Sequence, residues 1–159
     1  MKPVSGSSGN KTAHEFMDTR LEELESLFIG KQIGVGMHRA VFLFLLDQTK
    51  IIKVANCEEG RQQNILDLRI WEGLKETQAK KWLAPIHAVS PAGKYLIQDR
   101  VEPLPKQKYP KRIPDFFTDT KYTNFGWLKG KFVCCDFGAV RIFKDITLIR
   151  LVKANWWEN

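Results

Sequence analysis

The sequence predicts an α+β fold: an antiparallel sheet with one covering helix, followed by a shorter region of loops and a second hairpin. Three observations carry this. Residues 29–37, 40–46 and 51–55 are extended, apolar-rich segments, and the turn Asp47-Gln-Thr-Lys50 separates the last two, as in an antiparallel meander. Residues 61–74 carry Ile65, Leu68 or Arg69 and Glu72 on one helical side and Leu66, Ile70 and Leu74 on another, as in a helix largely covered by protein. Residues 83–89 and 94–101 are rich in β-formers around the turn Ser90-Pro-Ala-Gly93, which makes a further hairpin.

The flanking elements follow in order. Residues 1–12, rich in Ser, Gly and Lys, are expected to be a loose tail, with residues 13–159 forming one domain. Within 13–28, Met17, Leu21, Leu24 and Phe28 recur at three- and four-residue steps, which predicts an amphipathic packing helix. A proline-bearing loop at 103–114 leads to a shorter hairpin, 125–128 and 132–135, around Lys129-Gly130. The tail, 145–159, is apolar at Ile146, Leu148, Ile149, Leu151, Val152, Trp156 and Trp157. It reads as a terminal helix that covers exposed surface, or as a partner-binding face.

Composition narrows the function classes. A length of 159 residues with 43% hydrophobic side chains suits one compact domain with a real core. No apolar run approaches the ~20 residues of a membrane span, and Met1-Lys-Pro-Val-Ser-Gly6 lacks a secretory apolar stretch, so a soluble, intracellular protein with no membrane partner is expected. The net charge of +7 suits a phosphate-rich partner: nucleotide, nucleic acid or an acidic protein surface. The densest basic stretch, Lys106-Gln-Lys-Tyr-Pro-Lys-Arg112, reads as a solvated loop with no nucleic-acid module around it, so nucleic acid is not the expected partner.

Cys57, Cys134 and Cys135 have no metal-ligand spacing and read as small buried hydrophobes in a reducing compartment. His14, His38 and His87 lie far apart, and His14-Glu-Phe-Met-Asp18 lacks the second histidine of a zinc-protease helix, so no structural metal is assigned.

The chemistry-bearing motifs are weak singly and gain weight from their order. Ile33-Gly34-Val-Gly36 lies between the first two strands, where missing Cβ atoms let a backbone approach polyphosphate. Lys53 interrupts the apolar strand Ile51-Ile-Lys53-Val-Ala55, so its ammonium must snorkel or meet an anion. Further on, Asp119-Thr-Lys-Tyr-Thr-Asn124 is followed twelve residues later by Asp136-Phe137-Gly138, after a short hairpin.

In this order the motifs resemble those of the protein-kinase family: glycine-rich loop, β3 lysine, αC acid, catalytic loop and DFG. Val41 matches the valine after the glycine loop, while Arg39 stands where the third glycine is usual. The αC acid has two candidates, Asp67 and Glu72. Asn64-x-x-Asp67 with Trp71 is similar to the helix of small bacteriophage kinase-like proteins, which favours Asp67. Tyr95-Leu-Ile-Gln-Asp-Arg-Val101 resembles the strand into an adenine-binding hinge, with Gln98 as gatekeeper and the backbones of Asp99 and Val101 at the adenine edge.

The resemblance implies a kinase-like small lobe joined to a truncated catalytic region, with ATP and Mg2+ as cofactors. In that assignment Asp119 is the catalytic base, Lys121 and Lys53 are phosphate contacts, and Asn124 and Asp136 are metal ligands. Phe117 and Thr118 replace the usual His-Arg before the catalytic aspartate, so regulation through a phosphorylated activation loop is not expected. Only 17 residues separate Val101 from Asp119, and 21 follow Gly138, too few for a large helical lobe. Two functions are therefore expected in competition. One is a minimal phage-type serine/threonine kinase with a protein substrate, working in the cytoplasm, or in the host cytoplasm if phage-encoded. The other is a non-catalytic, pseudokinase-like inhibitor that docks on a host or viral protein.

Overall fold

The computed structural model describes residues 13–141 and 149–158, so the expected tail at 1–12 and residues 145–148 of the expected terminal helix lie outside the described residues. α1 (Ala13–Ser26) leads into β1 (Ile29–Val35), β2 (Arg39–Phe44) and β3 (Lys50–Ala55), then α2 (Glu58–Leu74), β4 (Ile86–Val89) and β5 (Tyr95–Asp99). The strands form one five-stranded antiparallel sheet in the order β1-β2-β3-β5-β4. Central β3 has neighbours on both sides, placing Lys53 across from Val41 and Leu96, and Ile51, Ile52 and Lys53 are buried in succession.

α1 does not pack as its periodicity predicts. Leu21 and Leu24 are exposed, and the helix is tied to the sheet by polar groups, Glu25 accepting from both Lys94 and the Tyr95 hydroxyl. α2 starts three residues before the expected Arg61, because Glu58 and Glu59 in its first turn favour the positive end of the helix dipole. Its covered face is Gly60, Asn64, Asp67, Ile70 and Leu74. Leu66, grouped with Ile70 and Leu74 by the sequence, is 46% exposed. Ile70 and Leu74 are buried as that grouping predicts, but the covered face continues towards the N-terminus through Asp67 and Asn64, polar residues that find partners beneath the helix, and leaves Leu66 outside.

The β4–β5 hairpin is fastened to α2 through its turn. Gly93 has φ +71°, a Cβ there would lie 2.5 Å from the Arg61 carbonyl oxygen, and Asn64 Nδ2 donates to Gly93 O at 2.8 Å. β4 begins later than expected because Leu83 bridges to Cys134 and the Ala84 N–H donates to Cys134 O at 2.8 Å. A 3-10 turn at Gln78–Trp82, capped by Thr77, leads into that junction.

The rest of the chain builds two small ribbons. β7 (Phe125–Leu128) pairs with β8 (Lys131–Cys134) around Lys129 and Gly130, whose φ values of 47° and 80° suit a tight hairpin turn. β6 (Arg112–Pro114), unforeseen in the proline-bearing loop, pairs with β9 (Leu151–Lys153). The expected terminal helix is therefore corrected: the described residues 149–158 hold no helix, and Leu151–Lys153 are strand. Main-chain bonds from Asp115 N to Arg150 O and Ala154 N to Lys111 O favour the strand, and Trp156 packs against Tyr109, Phe125 and Phe132.

Ile70, Leu74, Leu96, Phe116, Phe125 and Phe137 belong to one buried cluster running from beneath α2 into this second region. No helix among the described residues is long and apolar enough to cross a membrane. Ile70→Ala, at a buried position, is expected to cost about 2–5 kcal/mol in urea unfolding, whereas exposed Leu66→Ala stays within about 0.5 kcal/mol. The reverse ranking would show that α2 packs on the other face.

Candidate functional site

The sheet and the 119–138 region face each other across an open cleft of about 780 Å³. Gly34, Gly36, Val41, Lys53, Asp99, Val101, Lys121, Asn124 and Asp136, far apart in sequence, all line it. The β1–β2 turn over the cleft is closed by Gly36 N–H donating to Arg39 O at 2.7 Å. A Cβ at Gly34 or Gly36 would meet nothing closer than 3.6 Å, so the fold does not require glycine there. What glycine supplies at these two positions is open space over the cleft.

Beneath the turn lies a cluster of charges. Arg39, buried at the first position of β2, donates to Asn64 Oδ1 at 3.0 Å and Asp67 Oδ2 at 2.6 Å through one nitrogen, and reaches Asp136 Oδ1 at 3.2 Å with the other. Lys53 Nζ donates to Cys135 O at 2.6 Å. Burial pushes the Asp67 carboxyl above its ordinary value, and the Lys53 and Arg39 charges oppose this without cancelling it. Burial also pushes at Asp136, but there Lys53, Arg39 and the Gly138 N–H prevail and hold the carboxyl below its ordinary value.

Of the two candidate αC acids, Asp67 lies inside, and its ion pair is with Arg39. Glu72 is corrected: it is exposed and pairs with Lys75 in the next turn. Five helical residues rotate through about 500°, so positions 67 and 72 stand about 140° apart and cannot both face the sheet. Gln98, the expected gatekeeper, lies on β5 across from cleft-lining Ile51; it is buried and donates to Ala84 O at 3.1 Å.

No family model matches this chain, and no curated protein matches it.

Residues 119–124 fold into a loop that closes on its own aspartate. Asp119 Oδ1 accepts from Lys121 N at 3.1 Å, and Asp119 Oδ2 from Asn124 Nδ2 at 3.0 Å, ahead of a 3-10 turn at Tyr122–Asn124. Cys135 N–H donates to Asn124 O at 2.8 Å, which sets Asn124 beside Asp136. Asp136 in turn caps the 3-10 turn Phe137–Ala139 through Gly138 N at 3.2 Å. Asp119 itself is outside the cleft lining, and its Oδ1 also accepts from Trp157 Nε1 at 3.1 Å.

These bonds leave Asn124 Oδ1 and Asp136 Oδ2 without hydrogen-bond donors among the described residues. Both are hard oxygen donors on cleft-lining residues, a set that fits Mg2+, which takes few protein ligands and keeps several waters. The Val101 N–H likewise has no hydrogen-bond acceptor among the described residues, while the Asp99 N–H is occupied by Pro85 O at 2.9 Å and the Asp99 side chain by His87 at 2.6 Å.

Sequence reasoning flagged Arg39 only as a departure from a glycine, whereas it is the hub of the charge cluster. Its signal was present: an arginine entering a strand whose neighbours are buried needs an acid beneath it. Trp157 at Asp119 had no signal in the sequence. Arg39→Met strips the buried Asp67 of its partner, a loss of about 3–5 kcal/mol for such a pair. The depressed Asp136 contributes stability above the unfolded carboxylate pKa of about 3.9 that is lost as pH falls through its lower folded value. Asp67, already raised, takes up a proton in acid and relieves its orphaned charge. The unfolding deficit of Arg39→Met should therefore be largest near about pH 7 and shrink towards about pH 4; a deficit independent of pH would contradict the cluster.

Proposed function

We propose that this chain is a minimal, magnesium-dependent ATP phosphotransferase of the protein-kinase type. The observation that carries the reading is the convergence of Lys53, Lys121, Asn124 and Asp136 on one cleft, with Asp119 oriented by Asn124 at its margin. The five-stranded antiparallel sheet with a helix between β3 and β4 supports the small-lobe part of it.

Each residue then has a defined task. The free N–H of Val101 hydrogen-bonds the adenine edge, and Val41 and Ile51 supply apolar wall for the ring. Gly34 and Gly36 leave room for the phosphates beneath the β1–β2 turn. Lys53 and Lys121 offset phosphate charge, and Asn124 Oδ1 with Asp136 Oδ2 would hold magnesium. When bound, the ion supplies charge neutralisation at the phosphates. Arg39 engages Asp136 Oδ1 and so aims the other oxygen at the cleft. Asp119 positions the acceptor hydroxyl and takes its proton as the terminal phosphoryl group passes to that oxygen and ADP departs.

A second reading, a non-catalytic binding protein that keeps the cleft, rests on the C-terminal segment. Trp157 N and O exchange main-chain bonds with Thr120 O and Tyr122 N, its indole N–H takes Asp119 Oδ1, and its ring lies 5.5 Å from Lys121 Nζ. That segment lies where an acceptor would have to approach.

Two measurements separate the readings. Thermal unfolding with ATP is expected to show stabilisation that requires Mg2+ and disappears in Asp136→Ala. Transfer from radiolabelled ATP is expected to fall by about 10²–10⁴-fold in Asp119→Ala, with the nucleotide-dependent shift retained. A retained shift without transfer in wild type selects the binding protein, and no shift at all overturns both.

A further inference from the structure

At the cleft edge formed by the β1–β2 turn and the start of α2, His38, Cys57 and Glu59 bring three different donor atoms within 4.8 Å of one another. We propose that they form a zinc site that pins the β1–β2 turn to the start of α2. Cys57 Sγ and His38 Nδ1 lie 3.4 Å apart, a thiol–imidazole hydrogen bond whose length also suits two ligands of one ion. Tetrahedral zinc with Zn–S of about 2.3 Å and Zn–N of about 2.0 Å sets that separation at about 3.5 Å. A thiolate and a carboxylate balance the charge of Zn2+, and a water completes four ligands. Thiolate with imidazole selects zinc-like ions and is a poor set for magnesium or calcium.

The backbone holds the donors in place without help from the ion. Asn56 N–H donates to His38 O at 2.9 Å, and a Cβ at Gly60 would stand 2.2 Å from that same oxygen. The turn is thus seated on the first turn of α2 so closely that only glycine fits beneath it. Cys57 occupies the N-cap of α2 yet makes no side-chain capping bond, where Ser, Thr, Asp or Asn would be the stabilising choice. The thiol instead points to His38.

Sequence spacing gave no sign of this site, since His38 comes from the β1–β2 turn and is 19 residues from Cys57. The proposal does not depend on the nucleotide reading, although His38 also lines the cleft and zinc would hold that edge still. On binding, the Cys57 thiol gives up its proton to solvent and its sulfur pair to the metal.

The test uses the full chain under reducing conditions, with zinc affinity read by competition against a chromophoric chelator and with Co2+ as an absorbing substitute. Wild type should bind one equivalent of zinc, and its cobalt form should show a thiolate-to-metal charge-transfer band. Cys57→Ser should abolish that band and weaken zinc by more than about tenfold, and His38→Gln should also weaken it, each with an unchanged far-ultraviolet circular dichroism spectrum. Cys135→Ser should leave both readouts intact. No zinc bound by wild type, undiminished affinity in Cys57→Ser and His38→Gln, or a band that follows Cys135 would each overturn the proposal.

Discussion

One arginine ties three parts of this protein together: the sheet, the helix α2 and the turn that follows β8. Arg39 leaves the first position of β2 and grips Asp67 from α2 with one nitrogen and Asp136, just past β8, with the other. Lys53 adds its charge from β3, so two cations face two carboxyl groups, Asp67 buried beneath the helix and Asp136 at the wall of the cleft. A charge withdrawn from water is tolerated only with a partner in good geometry, so any shift of α2 or of the 136–138 turn away from the sheet exposes a bare charge. Apolar packing beneath α2 supplies most of the burial; this cluster specifies where the pieces sit.

That constraint also shapes the cleft. Because Arg39 occupies one oxygen of Asp136, only the other is free for a ligand, and the same arginine keeps Asp67 busy beneath Lys53. Asp67 Oδ1 is buried without a hydrogen bond among the described residues, so the Lys53 charge is its main compensation. Lys53, whose ammonium now bonds the Cys135 carbonyl, is thereby placed between an unsatisfied carboxylate and the open cleft. At the other end, the extended C-terminal segment does structural work, with Trp156 in an aromatic cluster with Tyr109, Phe125 and Phe132, while its neighbour Trp157 reaches Asp119.

Much of the sheet was legible because strands β1 to β5 are dense in β-formers and separated by strong turn residues, and the Lys129-Gly130 hairpin announced itself by its glycine. The residues of the glycine turn, of β3 and of the 119–138 region stood out in the sequence as short motifs, and the fold brings most of them to one cleft. What stayed hidden depends on distant partners. The buried face of α2 carries Asn64 and Asp67, which hydropathy assigns to solvent, and only Arg39 from β2 and the Gly93 carbonyl justify it. β6 and β9 are three residues each and stabilise one another, so neither has a local pattern to find. Leu21 and Leu24 repeat at helical spacing yet remain exposed, since periodicity says which face is apolar and not whether anything covers it.

The central claim, one nucleotide held between the sheet and the 119–138 loop, is tested most directly by a crystal structure with Mg2+ and a non-hydrolysable ATP analogue. The account predicts adenine against the Val101 main chain, phosphates beneath Gly34 and Gly36 within reach of Lys53, and the ion between Asn124 Oδ1 and Asp136 Oδ2 with Arg39 still on Asp136 Oδ1. An empty cleft at saturating analogue, or a nucleotide bound anywhere that leaves Lys53 and Asp136 without contact to phosphate or metal, would contradict it.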